Sequence, residues 1–152
     1  MSRPPDRDLE RSVRIAYGTG LALCAAWPLA LQLLLGTAIR RPDGAPDPLV
    51  LQLGYSFTGL VCVGAWFLVR RWHRVRAGFR ALAAGAHGRA AAREILLYSA
   101  ICQVSALFGV AYYALGGPRP EQYGRGFVAL ATVMFFVFVP RPQAWREAAQ
   151  GE

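Results

Sequence analysis

Most of the side chains that could do chemistry inside this chain are polar but uncharged. Gln32, Gln52 and Gln103, the hydroxyls of Ser56, Thr58, Ser99 and Ser105, and the thiols of Cys24, Cys62 and Cys102 all lie within apolar runs. A polar group there has no water to bond and must find a partner on a neighbouring segment. Gln103 is the most central. Its amide is expected either to hydrogen-bond another helix or to line a polar path. No Asp, Glu, His or Arg lies deep in a run; Glu94 and Arg125 sit at run ends, where they reach head groups. Ionisable groups inside a membrane span mark proton relays, ion carriers and voltage sensors, so those classes lose ground.

The remaining chemistry is sparse. Three cysteines, an odd number with no Cys-x-x-Cys pair, do not make a disulfide framework. Their similar depth permits a thiophilic metal cluster, but small buried residues on packing faces account for them without one. Both histidines, His73 and His87, fall outside the apolar runs, which excludes bis-histidine haem ligation within them. There is no phosphate-binding glycine loop, no catalytic carboxylate pair and no nucleophile motif. The expectation is a non-enzyme with no cofactor, no metal and no catalytic residue.

The elements that position these residues are long apolar segments. The 152 residues are 55% hydrophobic, and a helix needs roughly 20 apolar residues to cross a hydrocarbon layer. Four spans are expected, at about 15–37, 49–69, 94–115 and 123–139, so the fold class is an all-α integral membrane protein. It is a four-helix antiparallel transmembrane bundle over 15–140. The first span is longer than the apolar core of a cleaved signal peptide and is taken as retained. Pro28 within it removes a backbone donor from the carbonyl of Cys24, predicting a kink. The segment 39–48, with three prolines and a glycine, is a turn; a Gly116-Gly117 turn joins the last two spans. Gly54, Thr58 and Cys62, at i, i+4 and i+8, form a narrow small-residue face, and Ser105-x-x-x-Gly109 forms another. Both suit close helix packing.

Charge sets the orientation. Net charge is +8 and all 17 basic residues are arginine. The N-terminal tail 1–14, the loop 70–93 and the tail 141–152 hold 13 of them; the two hairpin turns hold four. Positive residues stay on the cytoplasmic side, so both termini are expected inside. This placement beside apolar runs argues against nucleic-acid binding. The loop 70–93, with Arg70, Arg71, Arg74, Arg76 and Arg80, has helical apolar spacing at Val75, Phe79 and Leu82. It is expected to lie on the membrane surface and contact anionic head groups, with Gly85 and Gly88 breaking it before the third span. Both tails are read as short and polar, the first helical only near the membrane.

One stretch carries a family resemblance. Ala100-x-Cys102-Gln103-x-x-Ala106-Leu107-x-Gly109, the Gly-Gly turn, a Phe-rich run and Pro140-Arg141 resemble small uncharacterised four-helix membrane proteins of bacteria. The third span is also similar to the carboxylate-bearing helix of the proteolipid c subunits of rotary ATPases, in which that carboxylate carries the transported ion. Gln103 stands in its place here and cannot bind and release a proton. The first span has only Gly18 and Gly20, not the long alternating glycine run of rotor rings. The resemblance implies a small multi-pass protein of the bacterial inner membrane and no ion-carrying step. The function expected is an accessory or structural subunit, as a homo-oligomer or beside a membrane protein partner. The alternative is an oligomeric transporter or channel.

Overall fold

The computed structural model describes residues 7–38, 46–82 and 84–150, and these are almost entirely helical. Helix α1 (Arg7–Leu21) runs through a five-residue π turn (Ala22–Ala26) into α2 (Trp27–Ala38). Then follow α3 (Asp47–Phe79), a 3-10 turn (Ala84–Ala86), α4 (His87–Leu115), α5 (Pro118–Phe138) and α6 (Pro142–Gln150). Four stretches, Arg7–Leu34, Asp47–Phe79, His87–Leu115 and Arg119–Gln150, are long and apolar enough to cross a membrane. Most of the turn expected at 39–48 lies outside the described residues.

Local sequence explains the helix limits. Prolines occupy the first turn of α3 and α5, where no intrahelical N–H is needed. Gly116 and Gly117 take φ of 71° and 90°, a left-handed geometry open to glycine without a Cβ penalty. That reverses the chain between α4 and α5. Helix α4 is the centre of the molecule, packed between α1 and α5. Its buried side chains include Ile95, Tyr98, Cys102, Ala106 and Tyr112. A main core joins Ile95, Tyr98 and Cys102 to Leu9, Val13, Cys24, Phe135 and Trp145. A second cluster near the Gly-Gly turn gathers Val50, Phe57, Phe108, Tyr112 and Phe127, with Phe57 and Phe108 stacked 4.3 Å apart. Phe127 and Phe135 thus fill core, whereas Phe136 faces outward.

Three segments differ from the sequence expectation. The stretch 70–79 is not a separate surface-lying segment; it continues α3, giving a helix of 33 residues and about 50 Å. Its apolar residue Phe79 is buried against Trp145 and His87 and Val75 packs on the core, while Leu82 of the same stripe is exposed. Gly88 does not break the chain but lies in the first turn of α4. The C-terminal segment is not merely a polar tail. Nine residues are too few for a helix to persist alone, and α6 is held by Trp145, fully buried and edge-on to Trp72 at 4.9 Å. Likewise α1 is helical from Arg7, the first described residue, and Leu9, Val13 and Ala16 give it a buried stripe.

Candidate functional site

The polar side chains of the interior converge on the break between α1 and α2. In the π turn the N–H of Trp27 bonds the carbonyl of Ala22, five residues back. The carbonyl of Leu23 therefore loses that donor, and the next residue, Pro28, has no N–H to offer either it or Cys24. Two carbonyls on one side of the helix are left to find partners elsewhere. Gln103 of α4 donates its amide Nε2–H to Leu23 O. Thr132 of α5 donates its hydroxyl to Cys24 O at 2.5 Å. One break is thus closed by two different helices.

Packing around the break is tight. The Cys24 thiol donates to Ser99 O at 3.4 Å, and the Ser99 hydroxyl turns back onto Ile95 O at 2.8 Å. A Cβ on Gly20 would stand 2.2 Å from Ser99 Oγ and 2.8 Å from Phe135 Cε2. Only glycine lets α1 lie this close to α4 and α5. The expected kink at Pro28 and the interhelical role of Gln103 meet at one place. The second partner, Thr132, was not singled out from the sequence: one hydroxyl among valines and phenylalanines gives no pattern.

The other site residues divide into two groups. Ser105 is buried and donates to Phe127 O at 2.8 Å. A Cβ on Gly109 would meet Val128 Cγ2 at 2.5 Å and Gly124 O at 2.7 Å. The Ser105-x-x-x-Gly109 face therefore packs on α5, with Gly124 as its counterpart. The face of Gly54, Thr58 and Cys62 behaves differently. Gly54 meets the Tyr112 hydroxyl, which donates to Val50 O at 3.0 Å; Thr58 and Cys62 are exposed on the outside of α3. The three cysteines separate accordingly. Cys24 and Cys102 are buried in one core, Cys62 is not, and no group of three or more His, Cys, Asp or Glu is placed to hold a metal among the described residues.

Five arginines were expected at head groups, and the structure gives Arg71 a different partner. Its guanidinium forks onto both carboxylate oxygens of Glu94, 2.6 Å each. Glu94 is only 12% exposed, so the pair stitches α3 to α4 at the end of the bundle where α6 packs on α1 and α3. Arg70 lies over the Trp66 ring at 5.2 Å. Arg76 and Arg80 line a cavity with His73, and Arg74 is exposed.

The break holds carbonyls, an amide, two hydroxyls and thiols. Through Gln103, Thr132 and Cys24 it ties the first helix pair to α4 and α5. Comparison with family models, curated proteins and solved structures found no match to this chain.

Proposed function

We propose that this chain is a non-enzymatic integral membrane protein of a bacterial inner membrane. It crosses four times as an antiparallel bundle, with both termini cytoplasmic. It serves as an accessory or structural subunit that self-associates or docks onto a larger membrane complex. The observation that carries the reading is the exposure of α3. In its most apolar 18-residue window 6% of residues are buried, against 44% in α4. Leu60, Val63 and Trp66 are all more than half exposed, beside the small residues Thr58, Gly59 and Cys62. Such a surface lets a second helix approach closely. The arginine distribution supports the orientation.

The test is gentle extraction into nanodiscs at native expression, followed by mass spectrometry of the intact assembly. Stoichiometric partners or a defined homo-oligomer are expected. A lone monomer removes the reading.

A second reading has one observation in its favour. Gln103 is half-buried at a broken helix, and in transporters such breaks lie where backbone lines a polar cavity. On that reading an oligomer conducts along a path past Gln103. The purified chain in liposomes then carries flux that Gln103→Leu abolishes. In the subunit reading it carries none, and Gln103→Leu costs stability alone.

A further inference from the structure

We propose that α6 is a releasable strap: it opens as a unit, taking Trp145 out of its seat, while the bundle beneath stays folded. Its hold is narrow. Of its nine residues only Trp145 and Ala148 are buried, and a helix this short does not persist once it leaves its seat. Trp145 lies edge-on to Trp72 at 4.9 Å and against Phe79 at 5.2 Å. The seat is incomplete in one respect. The indole N–H of Trp145 is buried and meets no acceptor among the described residues, whereas buried donors are normally paired. Closing therefore gives up a hydrogen bond that the indole makes with water when the strap is open, and this weakens the closed state.

The other restraints on α6 are slight. Arg146 reaches Glu10 of α1 at 3.0 Å, but both side chains are exposed to water, and ion pairs of that kind hold weakly. Glu10 keeps Arg14 as a second partner, so losing Arg146 does not strand its carboxylate. Arg141 and Glu147 are exposed. Although α6 hangs from α5, it packs chiefly on α1 and α3. Between α5 and α6 lie Val139, Pro140 and Arg141, with Val139 extended. Val139 and Arg141 each precede a proline, which turns their backbone away from the helical region. The two helices cannot merge into one rigid rod, and the three residues form a hinge. The seat outlasts the strap. Phe79 also lies against the His87 ring at 5.0 Å, and Arg71 still forks onto Glu94. Opening thus leaves this end of α3 in place with Trp72 and Phe79 uncovered, and closing covers them again. The arginine-rich end of the protein thereby has two states, and its apolar seat is accessible in only one. The strap goes beyond the subunit reading and does not depend on it.

The experiment is hydrogen–deuterium exchange of the full-length chain in mild detergent. Residues 71–79 of α3, at the same end of the bundle, serve as the internal reference. The amides of residues 146–150 are expected to exchange about tenfold faster than those of 71–79, through local opening. Arg146→Gln is expected to speed α6 by about threefold more, and Trp145→Ala to remove its protection altogether. Exchange in 71–79 should change by under about twofold in both. Wild-type α6 exchanging no faster than 71–79 overturns the strap. So does a Trp145→Ala chain in which 71–79 loses protection together with α6, because the two then unfold as one unit. An Arg146→Gln effect of equal size in the two segments has the same meaning.

Discussion

Helices α4 and α3 are of similar length and apolar content, yet one is the core and the other an edge. Helix α4 is enclosed by α1 and α5 along its span, with Ser99, Cys102, Ser105 and Gly109 all sealed. Helix α3 touches the bundle along one stripe, Phe57, Val61, Ala65, Leu68, Trp72, Val75 and Phe79. It is fastened mainly at its ends. Near the Gly-Gly turn, Tyr112 bonds Val50 O and Arg119 pairs with Asp47. At the other end, Arg71 forks onto Glu94 and Phe79 meets Trp145. Total hydrophobicity does not separate the two helices. Small and polar residues do, according to whether a neighbour within the chain has used them.

The comparison is broken most sharply by adding bulk to a glycine in each helix. Gly109→Leu drives a side chain into Val128 and the Gly124 backbone, and is expected to cost about 3 kcal/mol or more. Gly59→Leu on α3 meets nothing within 4 Å and should change stability by under about 0.5 kcal/mol. Reversible unfolding in mixed micelles measures both. Equal costs would mean that α3 is not an edge.

The fastening of α3 is tested next. Glu94→Leu strands the Arg71 guanidinium between two helices, at an expected cost of about 2 kcal/mol. Adding Arg71→Met should recover part of that loss, since the stranded charge goes with it. A double variant less stable than Glu94→Leu alone would show that Arg71 contributes mainly through packing rather than through its partner.

The smallest effects belong to the break. Thr132→Val and Gln103→Leu should each cost about 1 kcal/mol, the range of interhelical hydrogen bonds in membranes. In a Pro28→Ala background the substituted residue supplies an N–H, so the Thr132→Val cost should fall toward zero. Undiminished cost in that background would mean that Thr132 does not act by satisfying the Cys24 carbonyl.

How much of this is legible in the sequence depends on range. Four long apolar helices follow from run length, and the orphaned Cys24 carbonyl follows from Pro28, because a missing N–H is a local fact. Its partner Thr132, 108 residues on, does not follow, since one hydroxyl in an apolar run looks the same whether it bonds its own helix or another. Ser105 and Gly109 advertise a packing face, and so do Gly54, Thr58 and Cys62; spacing alone cannot say that the first is used within the chain and most of the second is not. Helix α6 is hidden for a different reason. Nine residues carry too little pattern, and Trp145 gains meaning only once Trp72 and Phe79 are in place to receive it. The same contact turns Phe79, one residue of an apparent surface-seeking stripe, into part of the bundle wall.

The most direct measurement is the mass of the intact assembly in native nanodiscs, for wild type beside Gly59→Leu and Gly109→Leu. If the outer face of α3 is where a second copy or a partner docks, wild type runs as a defined complex. Gly59→Leu then runs as a folded monomer, and Gly109→Leu, destabilised within the bundle, keeps the wild-type mass in the fraction that folds. A wild-type monomer, or a complex whose mass Gly59→Leu leaves unchanged, would contradict α3 as the docking helix.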